Sequence, residues 1–187
     1  MSITTSDYSR KLRNLYFARF AVAIIWVGLM FATAARATEP SILLTVLLVL
    51  YPAFDAGAVL WQMRAEPAGQ GSRAVQKAAI ALSSVVAVAL GITSSFSLPA
   101  AVAVWGMWAI ASGVPQLLTA IRNRGAGGQI AQVLSGGISV LAGGGFLYQG
   151  LLGRAMMAGV AGYATLGAVF FLVSAIGLSA KLRKVSV

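Results

Sequence analysis

The chain has 187 residues, of which 59% are hydrophobic and 10% charged, and its formal net charge is +10. An ordinary soluble domain carries about 25% charged residues, so this chain lacks the polar shell that a soluble fold of its size needs. It has no cysteine, no histidine and four carboxylates, Asp7, Glu39, Asp55 and Glu66, which argues against disulfides, thiolate chemistry, haem attachment, carboxylate acid–base pairs and nearly every metal cage.

The apolar residues come in long blocks. Blocks of about 20 apolar residues match the hydrocarbon thickness of a bilayer, and they are unbroken rather than alternating, which predicts helices instead of barrel strands. Six spans are expected, at 15–33, 42–61, 75–96, 98–121, 130–148 and 156–180. The first follows Arg10, Lys11 and Arg13 and precedes Ala35, Arg36 and Ala37. That pattern has some likeness to a cleavable signal peptide, but the run is longer than a usual signal core and contains Arg19, so an uncleaved span is expected. The 34–41 turn carries Pro40, and the second span carries Pro52 and Asp55 before Trp61. A polar loop at 63–74 leads to the third span. The turn at Ser97, Leu98 and Pro99 is so short that the third and fourth spans must form an antiparallel hairpin. Glycines at 125, 127 and 128 predict a flexible turn after the fourth span, and a 149–155 turn closes the last hairpin.

Basic residues set the orientation. Arg10, Lys11, Arg13, Arg64, Arg73, Lys77, Arg122, Arg124, Lys181, Arg183 and Lys184 fall on one side of a six-span arrangement, against Arg36 and Arg154 on the other. This bias predicts that both termini are cytoplasmic. The same placement assigns the positive charge to anionic lipid heads and not to nucleic acid. The fold class expected is an all-α integral membrane protein, residues 1–187 forming one domain of three tandem antiparallel hairpins (about 15–61, 75–121 and 130–180).

Charges inside apolar runs are the sharpest chemical signals. Asp55 lies six residues before Trp61, and Arg19 lies six after Arg13. In antiparallel helices both then sit at about the same depth, roughly 9 Å in at 1.5 Å per residue. They are expected to meet as an intramembrane ion pair, either a structural tie or a polar switch for a proton or cation. Pro52 and Pro115 free the carbonyls of Leu48 and Ala111, predicting kinks or a polar notch. Trp105, Trp108, Ser112 and Gln116 form an aromatic and amide stripe, read either as helix packing or as a ligand cavity. Tyr16, Trp61, Phe96 and Tyr148 fit interfacial belts. Gly136 with Gly143, and Gly137 with Gly144, are each seven apart and predict a close-packing face on the fifth helix; Ala158, Gly159 and Gly162 suggest another on the sixth.

The stretch Trp105–Gly113 followed by Arg122, Asn123 and Arg124, and the stretch Leu134–Gly143 with its Gly-Ile core, resemble the HdeD-like acid-resistance membrane proteins. That family is built of short two-helix repeats. The resemblance implies six inner-membrane helices and a link to acid stress, and it supplies no catalytic residues. The leading functional expectation is therefore a stress-associated structural or interaction role, with the lipid bilayer and a homo-oligomer or membrane-protein partner. The alternative is a compact proton, cation or small-solute transporter or channel using Asp55 and Arg19. Neither reading calls for an enzyme or a cofactor.

Overall fold

A backbone in hydrocarbon has no water to bond, so each apolar run must satisfy its own N–H and C=O groups by coiling into a helix. The computed structural model describes residues 5–67, 72–122 and 129–185. Among these it shows α1 (Thr5–Thr33), α2 (Ile42–Ala65), α3 (Arg73–Ser94), α4 (Leu98–Arg122), α5 (Gln129–Leu151) and α6 (Met157–Val185), and no strand. Over their described residues α1, α2, α3, α4 and α6 are long and apolar enough to cross a membrane. The turn at 123–128, with Arg124, lies outside the described residues.

Helix ends reach beyond the apolar runs. α1 begins at Thr5 and α6 continues to Val185, so their polar flanks add helical turns beyond the apolar runs. Ser41 and Ser72 cap α2 and α3, accepting from the backbone N–H groups of Leu44 and Val75. Within the spans, Thr93, Ser94, Thr165 and Ser179 donate their hydroxyl protons to carbonyls four residues back, which hides polar side chains from lipid. Beside Pro52, the Trp26 indole donates to the carbonyl of Leu47 at 2.6 Å.

Neighbours along the chain run antiparallel: Arg19 meets Asp55, Thr45 meets Ser94, and Gly113 meets Gly136. The closest pairings, however, are α4 with α5, α1 with α6, and α2 with α3, so tight packing does not follow the expected grouping into α1–α2, α3–α4 and α5–α6. Small residues explain two of these pairs. Gly106 and Gly113 on α4 abut Gly143 and Gly136 on α5. A Cβ on Gly106 would fall 2.5 Å from the Gly143 carbonyl oxygen, and one on Gly136 would fall 2.8 Å from the Leu117 nitrogen. Gly150 extends the row against Pro99. This seven-residue register lets the two backbones touch. On α6, whose close partner is α1, Ala161, Ala168 and Ala175 form a buried row, again seven apart.

The two ends of the bundle are filled differently. The largest fully buried side chains include Met30, Leu44, Leu48, Leu90, Leu98, Val102, Trp105, Met157 and Val160. All lie in the halves of their helices that lead to the turns at 34–41, 95–97 and 152–156. The half nearer the basic flanks contains a cavity.

Candidate functional site

Arg19 enters the bundle from α1 and Asp55 from α2, and their depths match because the helices are antiparallel with similar polar flanks. Arg19 Nη1 lies 3.1 Å from Asp55 Oδ1. The second carboxylate oxygen accepts the Ser83 hydroxyl of α3 at 2.8 Å. Ser83 in turn accepts the buried indole N–H of Trp108 on α4 at 3.2 Å. One hydrogen-bonded chain thus ties four helices together. On its other side the Arg19 guanidinium stands over the Phe171 ring of α6, 5.1 Å from the centroid. Arg19 is 8% exposed, and its Nε is buried without a hydrogen-bond partner.

The pair forms part of the wall of a cavity of about 340 Å³, near the lower end of the volumes typical of small-molecule sites. Tyr51 and Trp108 face it from α2 and α4, and Ser112 and Gln116 extend the α4 wall. α5 contributes Ser135 and Ser139, and α6 contributes Tyr163 and Phe171. The Tyr163 hydroxyl donates to Ser139 at 2.9 Å. This is one of the few places where α5 and α6 approach, because the cavity separates the α4–α5 pair from the α1–α6 pair.

An aromatic cluster lies beyond the cavity toward the filled end. Trp26 and Trp105 stack at 5.6 Å, Tyr51 lies 4.6 Å from Trp26, and Trp108 meets Trp105 edge-on at 5.3 Å. Together with Met30, Leu48 and Val160 these rings belong to the continuous hydrophobic core.

The residues singled out from the sequence therefore separate. Arg19 and Asp55 are joined, and Trp108, Ser112 and Gln116 share the cavity wall with them. Trp105 does not line the cavity. It is fully buried in the aromatic cluster, with its own indole N–H unpartnered. On α5, Gly136 and Gly143 meet α4, but a Cβ on Gly137 or Gly144 would meet nothing within 4 Å. The two rows are 100° apart around a helix, so one faces α4 and the other turns away. Tyr16, expected in an interfacial belt, lines the cavity and stacks with Phe171 at 6.4 Å. Trp61, Phe96 and Tyr148 are exposed near helix ends. Of the small face expected at Ala158, Gly159 and Gly162, Gly159 packs against Phe146 of α5, where a Cβ would fall 3.2 Å from the ring, whereas Ala158 is exposed and a Cβ on Gly162 would meet nothing within 4 Å.

Sequence reasoning passed over Ser83, Tyr51 and Tyr163. The two tyrosines carried a usable signal, since each lies mid-span, away from the interfaces where tyrosine is enriched. Comparison with protein-family models, with curated proteins and with solved structures finds no match to this chain.

Proposed function

We propose that the chain is a six-span inner-membrane protein with cytoplasmic termini, and that its cavity takes up a small solute or ion from the cytoplasmic side. This is the compact transporter or channel reading, with Arg19 and Asp55 as its polar centre and with no catalytic step. The observation that carries it is the position of the ion pair, on the wall of a cavity in the half of the bundle nearer the basic flanks. A purely structural tie would be enclosed and saturated. Here the Asp55 side chain keeps 27% of its exposure, and one Arg19 donor has no partner. Cytoplasmic termini are supported by the bias in basic residues. A sixth span is supported by the 23-residue length of α5, which at 1.5 Å per residue reaches about 35 Å.

The stress-associated structural or interaction role draws on the resemblance to HdeD-like proteins and on the close α4–α5 contact. That contact serves the bundle's own packing, so it does not call for a partner.

Flux of protons, cations and small solutes into proteoliposomes tests the proposal. Flux is expected with the intact protein and should fall to the level of empty liposomes in a folded Asp55→Asn variant. Absence of any flux above empty liposomes, from acid to neutral pH, would return the ion pair to the role of a structural tie.

A further inference from the structure

The helix pairings divide the bundle into two bodies. α4 and α5 touch backbone to backbone along their length, through Gly150 at Pro99, Gly143 at Gly106 and Gly136 at Gly113. Contacts between small residues hold two membrane helices closely, so α4 and α5 form one stiff hairpin. It joins the other helices through the turns at 95–97 and 152–156, both at the filled end. The second turn holds Gly153 at φ +73°, a conformation that glycine adopts without strain. Toward the basic flanks the cavity lies between the hairpin and the rest of the bundle. The hairpin contributes Ser112, Gln116 and Ser135 to its wall, and the other helices contribute Tyr16, Asp55 and Ser174. Two side-chain hydrogen bonds bridge the bodies here, from Trp108 to Ser83 and from Tyr163 to Ser139. Each contributes little by itself. The wall groups include donors and acceptors on both bodies, and at hydrocarbon depth such groups need partners. Water supplies the partners while the walls stand apart, and the walls supply each other once they meet. Both arrangements are therefore satisfied.

We infer that α4 and α5 move as one rigid arm, hinged at the filled end, and that its swing toward α1 and α6 closes the cavity on the side of the basic flanks. The inference rests on the solute-uptake reading above and gives that cavity its gate. It accounts for three features at once: the glycine contacts within the hairpin, the bulky packing at one end only, and the polar groups on both facing bodies. Arg19 and Asp55 belong to the stationary body, whereas Trp108, Ser112 and Gln116 ride on the arm. The arm is the 25 residues of α4 long, or about 37 Å. A swing of about 10°, within the range of known rigid-body rotations, displaces its far end by about 6 Å.

The chain has no native cysteine, so pairs of introduced thiols can carry nitroxide labels in the full-length protein. Distances between labels are then measured in proteoliposomes by pulsed electron resonance. Leu134→Cys with Ile176→Cys spans the arm and the stationary body at the cavity end. Leu118→Cys with Leu134→Cys lies within the arm, and Leu43→Cys with Leu151→Cys spans the two bodies at the filled end. All five positions are exposed, so the labels leave the packing intact. The first pair is expected to give two populations about 6 Å apart, and the other two a single narrow distance each. A single narrow distance for the first pair overturns the swing. Two populations for the pair within the arm overturn its rigidity, and two for the pair at the filled end overturn the hinge. Solute flux into the same proteoliposomes reports separately on the uptake reading, so a protein that conducts with a fixed first pair overturns the arm alone.

Discussion

Breaking the Arg19–Asp55 pair from one side leaves the other charge on a wall with little water. Removing one partner of a fully buried pair costs 3–5 kcal/mol, and the partial exposure of Asp55 reduces that. Asp55→Asn is therefore expected to destabilise the protein by about 1–3 kcal/mol. Adding Arg19→Gln should restore at least half of the loss, because the orphaned charge goes with it. Thermal unfolding of both singles and the double in detergent gives the coupling, and simple additivity would show that the two side chains do not act as a pair. Ser83→Ala is a second case. It takes one partner from Asp55 and one from Trp108, and should cost about 1–2 kcal/mol. It should also shift tryptophan emission to the blue as the Trp108 indole loses its acceptor, whereas Ser83→Thr keeps both effects small. At this scale the charged pair was legible, because an Arg and an Asp at matched depth in antiparallel apolar helices have few other partners. Ser83 was not legible, since a serine in a membrane helix usually bonds its own backbone and announces nothing.

Along a single helix the decisive feature is which small residue faces which neighbour. Gly106→Ala or Gly143→Ala pushes a methyl into the backbone of the opposing helix, and is expected to cost about 2 kcal/mol or more, at the upper part of the range for overpacking. Gly137→Ala should be neutral or stabilising by up to about 1 kcal/mol, since its Cβ enters open space and alanine is the better helix former. Melting temperatures of the three variants decide the matter. Equal effects at positions 137 and 143 would mean that α5 is rotated from the orientation described. The heptad spacing of the α5 glycines was readable. Its partner row, Gly106 and Gly113 on α4, emerges only once the two helices are laid together. Periodicity defines the faces of a helix but does not say which of them has a neighbour.

Across the whole molecule the asymmetry between the two ends matters most. Bulky side chains fill the end with the 34–41, 95–97 and 152–156 turns, and the cavity lies in the other half. With cytoplasmic termini, thiols introduced by Arg10→Cys and Lys181→Cys should react with a membrane-impermeant reagent from the cytoplasmic face, and one introduced by Arg154→Cys from the opposite face. A thiol from Arg154→Cys that labels on the same face as the other two would sink the six-span topology. Length, apolar content and the distribution of basic residues were determined by the sequence alone, because bilayer thickness and charge transfer act on each segment by itself. The pairing of α1 with α6, the placement of Trp105 in the core and Trp108 on a cavity, and the chain from Arg19 through Asp55 and Ser83 to Trp108 were decided by the tertiary structure. These depend on side-chain volumes and contacts between residues far apart in the chain, and no local pattern encodes which of several similar apolar surfaces will meet.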